Sequence, residues 1–196
     1  MKLVIASHNQ GKIVEIKKSF FYLDTLQLLS LNDFEKVPEV IEDGKTFAEN
    51  ALKKGKVLFE YTKMPTLADD SGLVIKALNG RPGVYSARYG GEKTSFLEKN
   101  KLILQEMKDF KDLEREAKFV CVMALVLSEE KFFLVEGECL GQIALKPEGT
   151  NGFGYDPIFF LPSYKKTMAQ ISIEEKNKIS HRAQALEKIK KLIGSF

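Results

Sequence analysis

The sequence predicts an α/β fold: a mixed central sheet with flanking helices. Three observations predict it. Short apolar runs alternate with stretches of helical periodicity, as in a chain that winds helices onto a sheet. Two long apolar runs, "AKFVCVMALVL" and "KFFLVEGECLGQIAL", are separated only by Ser128-Glu129-Glu130, the signature of a strand–turn–strand hairpin. A sheet that holds such a hairpin is not purely parallel. Finally, 196 residues, 44% hydrophobic and 29% charged, with no Pro/Gly/Ser linker and no internal repeat, read as one domain over 1–196 with a sizeable core.

The elements follow in order. "KLVIA", residues 2–6, is a short buried strand that runs into a polar turn. From residue 10 to about 22 the spacing of Ile13, Ile16 and Phe20 is helical. "LQLLSL", 26–31, is a second strand. Thr46 and Glu49 form a capping box that opens a helix whose Phe47, Ala51, Leu58 and Tyr61 face the core, and Gly55 within it suggests close packing. Glu49 and Lys53 read as an ordinary i, i+4 pair on this helix. "TLADD" and "GLVIKAL" read as strand, turn, strand, and residues 94–108 as a helix. After the hairpin come a Gly-rich loop, "PEGTNGFGYDP", and a last helix carrying Leu186, Ile189 and Ile193, with Ser180 as its N-cap.

A formal net charge of +3 is mild and falls short of a nucleic-acid-coating protein, so a stable nucleic-acid partner is not expected. Cys121 and Cys139 fit no zinc spacing and no disulfide scaffold; two reduced, buried thiols suit the cytoplasm. The N-terminal apolar run is too brief for a signal segment, and no stretch approaches membrane-spanning length.

Several stretches carry ligand-type residues. "SHNQGK", 7–12, joins strand to helix, where free N–H groups and the helix dipole bind anions. Asn9 can cap this helix, and Gly11 lets a ligand approach the backbone. Lys12 lies in the first turn, where the dipole disfavours a cation; an anion nearby would explain it, or it is a solvated lysine on a capped helix. The spacing is not that of a Walker A loop. On the next helix Asn50 and Lys54 share a face, which leaves Lys54 available to a ligand, while Glu42 and its competitor Asp43 lie in the loop before the cap. "LADDSGL", 67–73, sets Asp69 and Asp70 side by side at a strand end, so they point to opposite sides. The pair is either Asx-type turn chemistry or one carboxylate holds something, and Asp70 with Glu42 would suit Mg²⁺, which takes one or two carboxylates plus substrate phosphates. In "GFGYDP", 152–157, the glycines leave Phe153 open for base stacking or as a loop anchor in the core. His181 and Arg182 offer donors that could read a purine carbonyl, against His181 as a plain surface residue.

"SHNQGK", "TFAENALKK", "ADDSGL", "PGVYSARYGG", "GTNGFGYDPIF", "EEK" and "SHRAQAL", in this order from residue 3 to about 190, resemble the inosine/xanthosine triphosphate pyrophosphatase family. The resemblance implies an elongated, two-lobed α/β protein, usually a homodimer, that binds a small-molecule nucleotide between its lobes. It further implies Mg²⁺-dependent hydrolysis of deoxyinosine, inosine or xanthosine triphosphate to the monophosphate and pyrophosphate. On the family motif Ser7, His8, Asn9, Gln10, Gly11 and Lys12 fall on the triphosphate loop, and Glu42 and Asp70 on the metal carboxylates. Asp70 also falls on the proton acceptor. Ser71, Lys54 and Lys176 fall on substrate contacts; Phe153, Gly154, Tyr155, Asp156, His181 and Arg182 fall on the nucleobase pocket. His8, Asp43 and Gly55 depart from residues common in the family, and no role follows for Tyr85, Arg88 or Tyr89. A non-catalytic nucleotide- or RNA-binding module is the rival; Glu42 and Asp70 speak against it, because carboxylates repel phosphate unless a metal intervenes.

Overall fold

Apolar residues spaced two apart along the first strand decide the layering. β1 (Lys2–Ile5) directs Leu3 and Ile5 into one hydrophobic cluster, while Val4, and Ala6 just beyond the strand, enter another. The period of two puts these sets on opposite faces of the sheet. The computed structural model describes residues 1–22 and 26–194, with 112 and 113 by backbone alone. Further elements are α1 (Gln10–Phe20), β2 (Gln27–Ser30), α2 (Phe47–Thr62), β3 (Thr66–Ile75), α3 (Phe96–Glu106), β4 (Glu116–Val126) and β5 (Phe132–Ile143). They are followed by β6 (Phe159–Leu161), β7 (Lys166–Thr167), α4 (Ile173–Ile179) and α5 (His181–Ile193).

The seven strands form one sheet in the order β2-β1-β3-β4-β5-β6-β7. β1 pairs in parallel with β2 and β3, whereas β6 is antiparallel to β5 and β7, so the sheet is mixed as expected. The predicted turn between β4 and β5 closes through the Leu127 N–H, which donates to Lys131 O at 2.9 Å. Among the described residues no helix is long and apolar enough to cross a membrane.

The chain divides into two compact units. The first comprises Met1–Asp70, Cys121–Gly137 and Arg182–Phe196; the second comprises Ser71–Val120 and Glu138–His181. In the first unit, one face of the sheet packs Ile13, Ile16 and Phe20 of α1 and Ala185, Leu186 and Ile189 of α5 against Leu3, Ile5, Leu67 and Met123. Leu58 of α2 packs with Val4, Ala6, Leu31 and Ala68. Burying each such Leu or Ile side chain contributes about 1.5–3 kcal/mol. Gly55 lets α2 approach: a Cβ there would stand 2.9 Å from Val126 Cγ2. The second unit has its own core, in which Ile103 and Met107 meet Leu73, Ile75, Tyr155 and Phe159.

Four expectations need correction. "TLADD" and "GLVIKAL" are not two strands: β3 runs unbroken from Thr66 to Ile75, so Asp69 and Asp70 lie inside a strand rather than at its end. Ser71-Gly72 has turn composition, but Gly72 is not among the described glycines at positive φ, and its neighbour Leu73 donates its N–H to Ser86 Oγ at 2.9 Å, so the segment stays extended. Tyr61 does not face the core; it is exposed, with its hydroxyl donating to Glu35 O and its ring edge-on to Phe34. Glu49 is occupied by the capping box and the Lys45 N–H, so Lys53 pairs with Asp43 at 2.6 Å instead. Elements the periodicity did not reveal are β6, β7 and α4, each seven residues or fewer.

Candidate active site

The alternation along β3 sends its two aspartates to different helices. Asp69 shares a face with Leu67, the face covered by α1 and α5, and its carboxylate meets Lys12 Nζ at 2.9 Å and Arg182 Nη2 at 3.2 Å. Asp70 shares a face with Ala68, against α2, and accepts from Asn50 Nδ2 at 3.0 Å. The two neighbours therefore bond into different networks, which the charges of Asp69 and Lys54 couple.

The first network alternates in sign. Lys12 bonds Asp69, Asp69 bonds Arg182, and Arg182 Nη1 donates to Glu15 Oε2 at 2.6 Å. Asp69, Arg182 and Glu15 are all buried, so each charge is compensated where water cannot reach it. Burial alone would raise the pKa of Asp69; Lys12, then Arg182 and Lys54, overcome this and hold the carboxyl well below the usual carboxylate range. Cys121 Sγ lies 4.0 Å from Asp69 Oδ2, and burial pushes its thiol up to about 12, so it is an inert core thiol.

The loop that precedes α1 brings Lys12 into position. Asn9 caps the helix by accepting the Lys12 N–H at 3.2 Å, and Ser7 Oγ accepts the Asn9 N–H at 3.1 Å. With no acidic residue in the first turn, the helix end keeps its positive potential. The carboxylate that offsets the charge of Lys12 is thus a buried group of the chain itself. Ser7 to Lys12 are exposed or half-buried, so the loop is open to an anionic ligand.

The second network gathers Glu42, Asp70 and Lys54 around α2. Lys54 Nζ bonds Glu42 Oε1 at 2.5 Å. Burial works against the charge of Lys54, but Asp69, Glu42 and Asp70 more than compensate and hold its pKa above the ordinary lysine value. Asp70 is pulled the other way: burial raises its pKa, the charge of Glu42 adds to this, and Lys54 and Asn50 only partly offset it. Asp43, the competitor of Glu42, is exposed and paired with Lys53.

From the sequence, Asn50 has no site role beyond the helix face that it shares with Lys54. Its side chain is fully buried; Oδ1 accepts the Gly44 N–H at 2.7 Å while Nδ2 bonds Asp70. One amide thus ties the loop that carries Glu42 to the strand that carries Asp70. Gly44 permits this, since a Cβ there would come within 2.6 Å of Asn50 Oδ1. The available signal was the shared helix face of Asn50 and Lys54. Glu15, also missed, had a signal too: a carboxylate between the core positions Ile13 and Ile16.

The second unit holds a separate cluster. Buried Asp156 accepts from the Phe153 N–H at 2.9 Å and from Lys176 Nζ at 2.5 Å, and the same ammonium stands 4.6 Å from the Phe153 ring centroid. Gly152 has φ +74°, and a Cβ there would fall 2.0 Å from Asp156 Oδ2, so only glycine closes this loop. Gly154 O accepts from Asn100 Nδ2 at 3.2 Å. Tyr155 is turned inward, its hydroxyl donating to Ser86 O at 2.8 Å. His181 is buried and stacked on Phe119, with centroids 4.8 Å apart, and so is not a surface residue. Phe153 and Ser71 remain half-buried. The described chain thus brings Ser7–Lys12, Glu42, Lys54, Asp70 and Arg182 into the first unit, and Ser71, Phe153–Asp156, Lys176 and His181 into the second.

A model of the Ham1 family matches residues 3–192. A dITP/XTP pyrophosphatase of Geobacter sulfurreducens is 49% identical over 195 residues, covering 98% of this chain and 96% of that protein. One from Shouchella clausii is 47% identical over 192 residues, with the same coverage. Among solved structures, a HAM1 protein from Coxiella burnetii matches with a TM-score of 0.91 and 40% identity, covering 100% of both chains. The chain belongs to the Ham1 family.

Proposed function

We propose that this Ham1-family chain, as one catalytic domain over 1–196, is a nucleoside-triphosphate pyrophosphatase. It hydrolyses deoxyinosine, inosine and xanthosine triphosphates to the monophosphate and pyrophosphate. The observation that carries the reading is the pairing of an open helix-N-terminal loop and two lysines with two carboxylates, in a chain nearly half identical to dITP/XTP pyrophosphatases. Lysines and a helix terminus suit a polyphosphate; Glu42 and Asp70 beside them suit a cation that reconciles carboxylate with phosphate.

The donor set fits Mg²⁺. Glu42 and Asp70 are hard oxygen donors, Lys54 already places a positive charge on Glu42, and Mg²⁺ commonly takes one or two carboxylates and completes its shell with water and phosphate. Bound there, Mg²⁺ would draw charge from the phosphoryl oxygens. The Ser7–Lys12 loop binds the triphosphate, with the N–H groups of His8, Gln10 and Gly11 turned to it, and Lys12 and Lys54 stabilise the charge that grows as pyrophosphate departs. Asp70, which falls on the family's proton acceptor, orients the attacking water and takes its proton.

In the second unit Phe153 offers a ring for base stacking, and Gly154, Tyr155, Asp156, Lys176 and Ser71 border the nucleotide. His181 donates to the 6-oxo group of hypoxanthine or xanthine; adenine would oppose it with an amino donor, a mismatch that costs about 1–3 kcal/mol per unpaired buried group. Arg182 is held by Glu15 and Asp69, which favours anchoring the Lys12 network over direct contact with the base. The reading also carries a cytoplasmic location and a homodimer, the latter to be checked by sedimentation equilibrium.

The test is product analysis with inosine, xanthosine, adenosine and guanosine triphosphates, each with and without Mg²⁺. Monophosphate and pyrophosphate from the first two, only with Mg²⁺, are expected. Stepwise release of orthophosphate, or equal turnover of adenosine triphosphate, would overturn the assignment.

A further inference from the structure

Lys54 has two roles to fill with one ammonium group. In the proposed reaction it meets phosphate, yet in the structure it lies against Glu42 at 2.5 Å, with its side chain only 13% exposed and with Asp69 and Asp70 adding to the attraction. Two further features make this position more than a loose surface pair. Asn50, one turn earlier on α2, bonds both Asp70 and the loop of Glu42, so the carboxylates keep their places whichever cation lies between them. Lys12, the lysine of the triphosphate loop, is engaged elsewhere, on Asp69.

We propose that Lys54 is the resident counter-cation of the Glu42 carboxylate in the metal-free enzyme, and that a divalent cation takes its place there when the triphosphate arrives. The inference rests on the reading of Glu42 and Asp70 as metal carboxylates. Glu42, Asp70 and Lys54 together carry a formal charge of −1. A divalent cation changes this to +1, and the ammonium released from Glu42 finds its next anion on the phosphates. Metal alone must compete with Lys54 for Glu42. Metal with nucleotide does not, because the ammonium gains a partner as it leaves. Cation and nucleotide therefore bind cooperatively, and each tightens the other by the same factor. The empty enzyme keeps the Glu42 carboxylate compensated without holding a metal tightly, and the phosphate-binding charge appears at the moment the substrate needs it.

The experiment is Mn²⁺ binding followed by electron paramagnetic resonance, with and without an α,β-imido analogue of inosine triphosphate that cannot be cleaved. Wild type, Lys54→Met, Lys54→Arg and Lys12→Met are compared. The proposal expects weak nucleotide-free binding in wild type, tightened about ten-fold by Lys54→Met, which removes the competitor. Lys54→Arg, which keeps a cation on Glu42, should leave this binding weak or weaken it further. Lys12→Met removes the same charge from the neighbouring network and should change it less than three-fold. The analogue should tighten Mn²⁺ binding in wild type and do so less in Lys54→Met. If Lys54→Met does not fold, tighter nucleotide-free binding by Lys54→Arg overturns the exchange. Unchanged affinity in folded Lys54→Met overturns it too, as does equal tightening by Lys12→Met, which would mean general charge rather than exchange. No Mn²⁺ binding by wild type, with or without the analogue, would overturn the metal reading itself.

Discussion

Asp70→Asn is expected to lower kcat for inosine triphosphate by roughly a thousand-fold, within the 10²–10⁴ range of a positioned proton acceptor, while leaving the protein at least as stable as before. The stability half follows from the electrostatics of the folded chain. Burial and Glu42 raise the pKa of Asp70, so its ionised form is the costly one in the folded state. A carboxyl with a raised folded pKa contributes stability below its ordinary value, and that contribution is lost as pH rises through the folded value. At neutral pH the charge is a liability to the fold, and an uncharged amide of the same shape removes it. The amide oxygen can still accept from Asn50 Nδ2, so the loop of Glu42 stays tied to β3. Thermal unfolding alongside steady-state kinetics checks both halves. A kcat within ten-fold of wild type would remove Asp70 from the chemistry; a large loss of stability would show that its charge serves the fold.

Arg182→Ala should have the opposite profile: a large loss of stability, about 3–5 kcal/mol, the usual result of withdrawing one charge from a buried ion pair. For a chain of this length that is a fall in Tm of roughly 6–20 °C. Arg182 is 1% exposed and lies between Glu15 and Asp69, so its removal withdraws the cation from between two buried carboxylates. The acid limb of stability supplies a second readout. The folded pKa of Asp69 lies well below its unfolded value, so its contribution is present above the ordinary carboxylate value and is lost as pH falls below it. Between about pH 4 and pH 2 wild type should lose stability steeply and Asp69→Asn less so. Urea denaturation across this range tests the network. Near-wild-type stability of Arg182→Ala, coupled with lost preference for inosine over adenosine triphosphate, would contradict anchoring and restore Arg182 to the base.

How far the sequence could be read depended on the range of the interaction involved. The opposed directions of Asp69 and Asp70 followed from strand alternation alone, and the structure sends one to α1 and α5 and the other to α2. The capping box at Thr46 was legible for the same reason: it is set by a few neighbouring residues. Gly55 announced close packing, but not its distant partner, Val126. What depended on a distant partner was not legible. Ser71-Gly72 read as a turn because nothing nearby in the sequence announces Ser86. The misplaced charge of Lys12 was visible, but its partner is 57 positions along the chain. Lys53 had an acceptable partner at i−4 and found a better one in Asp43, once Glu49 was committed to the cap. Asn50 lies within "TFAENALKK" and Glu15 within no quoted motif, and for both only the contacts with Gly44, Asp70 and Arg182 reveal what the side chain holds. The short β6, β7 and α4 are too brief for periodicity to register.

The central claim is that water attacks the α-phosphorus, with Asp70 receiving its proton and pyrophosphate leaving as a unit. Turnover of inosine triphosphate in ¹⁸O-labelled water, with both products analysed by mass spectrometry, tests it most directly. The account predicts one labelled oxygen in the monophosphate and none in the pyrophosphate. Label in pyrophosphate or orthophosphate would place the attack at the β- or γ-phosphorus and contradict it.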